Sequence, residues 1–274
     1  FSTPSRPVGA APRRTMAPFK VGVVGAIYSW AILATFGYAR HRFSTASANR
    51  LVSACNAVVI TGLAVAALAV HASDLTDRPP LHPMIAVSIE CMCAYLSYDI
   101  VLGLVAGFES APGPMLAHHA MGLAAEALVL VYGFGGFSLV VVHLAEGSTP
   151  FLHLSWALLK FGYGGTRLFF ATGVALVLTF GILRVILPAW VLFGNLLTES
   201  GTAAWGAASA LHEFFVLVVV IFWFLNCFWF VKLLRVAMGK ASPHHEHGLS
   251  RPSSGSSSAG SLSGVSLEPG RRAD

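Results

Sequence analysis

The sequence predicts an all-α, polytopic membrane helix bundle of six to seven transmembrane helices around a lipid-accessible cavity. Three observations predict it. The 274 residues are 55% hydrophobic and only 11% charged, where soluble domains carry about 25% charge, and the mean hydropathy is +0.71. The apolar residues gather into runs of about 20, the length of helix that crosses a bilayer. The runs do not alternate, so neither half-buried strands nor the short segments of a membrane barrel fit.

Seven runs mark the expected helices: 19–38, 51–70, 83–106, 115–132, 137–156, 168–193 and 214–234. The first follows a stretch, 1–20, that holds Arg6, Arg13, Arg14 and Lys20 and no acid. That stretch reads as a basic juxtamembrane tail, with Met16 as a candidate start. A targeting remnant is the alternative, because the sequence opens on Phe1 and transit peptides share this composition. The third run places Asp99 on a face with Tyr95 and Gly103. The fourth opens with His118-His119 and carries Glu126 seven residues on, nearly the same face at about 100° per residue. Gly133-Phe134-Gly135-Gly136 then separates it from the fifth run, and so short a turn makes the two helices antiparallel neighbours. On the fifth run His143, Glu146, Pro150 and His153 fall in one narrow sector. Pro150 removes a backbone hydrogen bond, and a bend there would widen the bundle into a pocket for a lipid chain. The sixth run carries Arg184 and Pro188. The seventh carries the aromatic cluster from Phe222 to Phe230, read as lipid-facing belt and core rather than a cofactor box. Residues 241–274 are Ser- and Gly-rich, too poor in apolar surface to offset ordering entropy. Three parts follow: 1–20, a membrane domain over 21–240, and a disordered tail over 241–274.

Charge orients the bundle. Arg40, Arg42, Arg50, Lys160, Arg167, Lys232, Arg235 and Lys240 flank helix ends on one side, and Arg78 stands alone among Asp74, Asp77 and Glu199 on the other. Lys and Arg collect on the cytoplasmic side, which puts the C-terminus there. The basic residues of 1–20 oppose this orientation unless that stretch is removed or the first run does not span. The net charge of +5 thus reflects lipid headgroups and topology, not nucleic acid. Cys55, Cys91, Cys93 and Cys227 lie in apolar runs without metal or redox spacing and read as buried free thiols.

Ionisable side chains at membrane depth are costly and by default face the bundle interior. Asp99 can reach the His118-His119 pair and orient an imidazole, which fixes its tautomer and raises its basicity. His119 so held is a candidate base or nucleophile. Glu146 and Arg184 lie at comparable depth and can pair. Glu90 and Glu126 are either protonated or paired with residues that spacing does not identify. With one His pair and no repeated His box, no metal site is expected; a Gly-x-Ser-x-Gly hydrolase elbow is absent.

These residues resemble the TLC-domain family of multi-pass membrane proteins, and the smaller TLC-only members most. The resemblance rests on Tyr98-Asp99, His118-His119, Glu146-Gly147-Ser148-Thr149-Pro150-Phe151-Leu152 closing on Trp156, Arg184 with Pro188, and the stretch from Asn226 to Lys232. It implies a role in lipid metabolism or membrane lipid homeostasis. Likeness to the ceramide synthases implies acyl transfer from acyl-CoA to a long-chain base. His118, His119 and Asp99 would then be catalytic, and Glu146, Ser148, Thr149 and Arg184 would bind substrate. Acyl-CoA would be a co-substrate and no resident cofactor is implied. Thr149 stands where those enzymes have a second acid, and His153 and Ser155 stand where the TLC-only members have Asn and Arg. A non-enzymatic lipid-binding or membrane-composition role therefore stands as the alternative. The expected partners are membrane lipids, with a homodimer left open. The expected membrane is the endoplasmic reticulum or another secretory compartment, or an endosymbiotic organelle if 1–20 is a presequence.

Overall fold

A computed structural model of the chain describes residues 22–71, 75–106, 113–206 and 208–239; the two tails expected from the sequence lie outside them. Among the described residues the regular structure is entirely helical. The helices are α1 (Val23–Arg40), α2 (Thr45–His71), α3 (Pro83–Ala106), α4 (Gly113–Tyr132), α5 (Gly136–His143), α6 (Thr149–Lys160), α7 (Arg167–Phe180), α8 (Leu187–Val191), α9 (Glu199–Trp205) and α10 (Ser209–Ala237). Among the described residues, five stretches are long and apolar enough to cross a membrane: α2, α3, α4, the α7–α8 rod and α10. The shorter α1 and the interrupted α5–α6 rod pack against them. The polytopic all-α bundle expected from hydropathy is the fold.

The boundaries follow local chemistry. Pro83 opens α3, where its missing N–H costs nothing and its fixed φ suits a first turn. Thr166 and Thr198 cap α7 and α9, each accepting a backbone N–H three residues on, from Phe169 and Gly201. The α4–α5 turn needs two left-handed positions, and glycines supply them: Gly133 has φ 75° and Gly135 φ 80°. Side chains such as Trp30, Val105, Val131 and Phe170 point outward and are more than half exposed, as lipid-facing residues should be. The interior holds two packed groups. One joins Ile85, Ile89, Val140, Leu192, Leu196 and Trp205; the other joins Ile32, Val52, Ile60, Met92 and Tyr95.

Two long rods are not continuous α-helices. Between α5 and α6 the chain narrows to a 3₁₀ stretch, Leu144–Ser148. Pro150 therefore sits in the first turn of α6, a tolerated position, and does not bend an intact helix as expected. The space beside it is filled by Arg184, which bonds Ser148 and Thr149. The α7–α8 rod widens twice into π-helical turns, Gly181–Ile186 and Leu192–Leu196. Each π turn presents one polar side chain to a neighbour: Arg184 to Glu146 of the 3₁₀ stretch, and Asn195 to Ser138 of α5 and Asp77 of the α2–α3 loop. The thiols also differ from expectation, since Cys91 is buried but Cys55 is exposed on the outer face of α2.

One loop is sewn into the bundle by a carboxylate that the sequence marked only as a charge between helices. Asp77 is 5% exposed. Its Oδ1 accepts from Ser138 N at 2.8 Å, and its Oδ2 accepts from the Ser138 hydroxyl and from Asn195 Nδ2, both at 2.7 Å. Its carbonyl accepts from Gly135 N. A groove of about 300 Å³ opens elsewhere, between α1, α3 and the end of α4.

Candidate functional site

The site is built on α3 and α4, antiparallel neighbours in close contact. At about 1.5 Å per residue, Asp99 lies near the end of α3 and His119 near the start of α4, so the two fall at one depth. His119 Nδ1 stands 2.7 Å from Asp99 Oδ2. The other carboxylate oxygen accepts from Asn49 Nδ2 of α2 at 2.8 Å. Asp99 is 3% exposed and both its oxygens are used. A carboxylate on Nδ1 keeps the proton there and leaves Nε2 with its lone pair. The edge of Tyr95 packs on the His119 ring at 5.9 Å, and the Tyr95 hydroxyl donates to Ser53 at 3.0 Å. Imidazole and carboxylate are thus held by three helices.

His118 does not share this carboxylate. Its ring lies 5.6 Å from that of His119 and packs against Phe222 at 4.5 Å and Trp229 at 5.6 Å, both from α10. Its Nδ1 is buried without a hydrogen-bond partner among the described residues. Part of the aromatic cluster of α10 therefore walls the histidine pair instead of facing lipid.

Glu146, Ser148, Thr149 and Arg184 form one network. Arg184 reaches from the first π turn and places its NH2 3.2 Å from Glu146 Oε1. Arg184 Nε donates to Ser148 at 2.7 Å and NH2 to Thr149 at 2.8 Å. The Thr149 hydroxyl donates to Glu146 Oε2 at 2.9 Å, and the guanidinium lies over Phe180. The pair expected from matched depth is present. The network adjoins the histidines, because His118 lies within electrostatic range of both Glu146 and Arg184. His153 lies within range of Asp99, Glu146, Arg184 and Arg50. Both its nitrogens are buried and unpartnered among the described residues.

Two sequence-level groupings separate. Glu126 turns away from His119: its Oε1 lies 2.6 Å from His143 Nε2, and His143 Nδ1 lies 2.8 Å from Ser88 Oγ. His143, Glu146 and His153 do not act as one stripe either. The 3₁₀ stretch changes the rotation per residue, so His143 turns toward α3 and α4 while Glu146 turns toward the α7–α8 rod. Asn49 and Ser53 are supporting residues that spacing did not single out, whereas Tyr95 was placed on the face of Asp99. The available signal was a row of polar residues, Asn49, Ser53 and Asn56, along an otherwise apolar helix.

The order and depth of these elements match a known pattern. A family model, the TLC domain, matches residues 46–235. The chain belongs to the TLC-domain family. No curated protein and no solved structure gives a significant match. The match spans α2 to the end of α10 and takes in the whole site, from Asn49 to Trp229. This TLC domain is an integral membrane domain, and the family points to a lipid-related role. Among the described residues of the TLC domain, no three of His, Cys, Asp and Glu are grouped to share a metal ion.

Proposed function

We propose that this TLC-domain protein transfers an acyl group from acyl-CoA to the amine of a long-chain base, with Asp99 and His119 as the catalytic pair. The observation that carries the reading is the Asn49–Asp99–His119 chain, buried at the first joint, part-buried at the second, and leaving Nε2 as the free basic atom of the ring. His119 Nε2 takes the proton from the attacking amine. The amine nitrogen bonds to the thioester carbon, the carbon–sulfur bond breaks, and the departing thiolate takes a proton from the imidazolium. Asp99 stabilises that imidazolium while it lasts. His118 lies beside the reacting groups and offers its unpaired Nδ1 to the substrate. Glu146, Ser148, Thr149 and Arg184 satisfy one another, so they hold the α6 and α7–α8 rods at the substrate and make few new bonds to it.

That saturation favours a second reading, in which the domain binds lipid without turning it over. Release of free CoA separates the two. Purified protein given acyl-CoA and a long-chain base should release CoA, and His119→Gln should not. Lipid binding without CoA release in wild type supports the second reading. The proposed compartment is the endoplasmic reticulum or another secretory membrane. Fractionation with an antibody against the Ser-rich tail tests it, and co-purification with an endosymbiotic organelle would refute it.

A further inference from the structure

The groove between α1 and α3 has a polar floor that the acyl-transfer reading does not use. It is lined by Gly22, Gly25, Ser29, Glu90, Cys93, Ala94, Ser97 and Leu130 and encloses about 300 Å³. Glu90 is 6% exposed. One of its oxygens, Oε2, accepts from Gly25 N at 3.0 Å. Gly25 lies in the first turn of α1, where backbone N–H groups have no helical acceptor and the helix carries partial positive charge. A methyl group at Gly25 would meet the Glu90 backbone at 3.4 Å, an ordinary van der Waals contact, so α1 and α3 are closely packed here. The other oxygen, Oε1, makes no hydrogen bond and meets no cation among the described residues. A carboxyl group at membrane depth that is partnered on one side only calls for a hydrogen-bond donor on the other.

We propose that this groove is a binding site for a bilayer lipid whose headgroup carries a primary ammonium. The lining selects that chemistry. It offers hydrogen-bond acceptors, the free carboxylate oxygen and the Ser29 and Ser97 hydroxyls. It contains no aromatic ring, the surface that quaternary ammonium groups prefer. An ammonium with N–H donors can use the acceptors, and a trimethylated one cannot. The position suits a headgroup. At about 1.5 Å per residue, Glu90 lies roughly 10 Å along α3 from Pro83, and Asp99 roughly 24 Å along it. Glu90 and the Asp99–His119 pair are therefore roughly 14 Å apart along α3, and the site stands or falls independently of acyl transfer.

The test is native mass spectrometry of the full-length protein in detergent. The probes are equimolar phosphatidylethanolamine and its N-trimethylated counterpart with the same chains. Wild type should retain the primary-ammonium lipid by about tenfold or more over the other, the size expected of hydrogen bonds to a charged group. Glu90→Gln keeps an acceptor for Gly25 and should abolish the preference. Ser97→Trp fills the groove from an exposed position and leaves the carboxylate untouched; it too should abolish retention. Equal retention of the two lipids by wild type overturns the proposal, as does a preference that survives both substitutions. A preference that emerges only in Lys20→Gln would assign the carboxylate to the chain's own lysine and also overturn it.

Discussion

At the scale of single residues, the site depends on hydrogen-bond completeness in a medium that supplies no water. Asp99 is buried with both oxygens filled, one by His119 and one by Asn49. Asn49→Leu removes one donor and leaves a buried carboxylate oxygen bare. It should cost about 1–3 kcal/mol, read as a lower melting temperature in detergent; an unchanged melting temperature would refute the brace. His119→Gln tests chemistry instead, because it retains a donor and an acceptor but cannot carry a proton. It should insert and fold like wild type and lose CoA release by roughly a hundredfold or more. A folded His119→Gln protein that still turns over at the wild-type rate removes the case for catalysis at this ring.

At the scale of elements, the irregular turns decide which helices meet. Arg184 lies in a π turn and pairs with Glu146 on the 3₁₀ stretch. The two segments fit closely, since a methyl group on Gly147 would lie 3.0 Å from Leu183 Cδ1. Arg184→Met leaves Glu146, 22% exposed, with only the Thr149 hydroxyl as partner, and should cost less than the ~3–5 kcal/mol of breaking a fully buried pair. Adding Glu146→Leu should recover part of that loss. A double variant no more stable than Arg184→Met would show that the guanidinium acts through Ser148 and Thr149 alone. The second π turn depends on Gly201. A Cβ there would clash with the Asn195 carbonyl, well inside van der Waals contact distance. Gly201→Ala should therefore lift α9 away, loosen Asn195 from Asp77, and increase hydrogen exchange in 192–205.

At the scale of the whole molecule, polar contacts between distant segments hold a bundle whose outer face is apolar. Asp77 ties the α2–α3 loop to α5 and the second π turn. Glu126 and His143 tie α4 to α5, and Ser88 ties His143 to α3. The bundle also has a direction. From the basic residues at the ends of α1, α6 and α10, we propose that those ends face the cytoplasm. In a background without the four native cysteines, Tyr163→Cys should react with a membrane-impermeant maleimide in sealed microsomes. Ser200→Cys should react only after permeabilisation. The reverse pattern would invert the topology.

The apolar runs alone determined that this chain is a helical membrane bundle, because hydropathy is a local property and a bilayer permits few other solutions. Depth was equally legible. Counting residues along a run placed Asp99 level with His119 and Glu146 level with Arg184, and both pairs are in contact. Facing direction was not legible wherever a rod changes its winding. The 3₁₀ stretch turned His143 away from Glu146 and gave it to Glu126, and the two π turns brought Arg184 and Asn195 to their partners. Nor could spacing reveal that Phe222 and Trp229 wall His118, that Asn49 completes Asp99, or that Asp77 is buried. Each of these contacts depends on how one helix is rotated against another, and only the packing of all of them together sets that rotation.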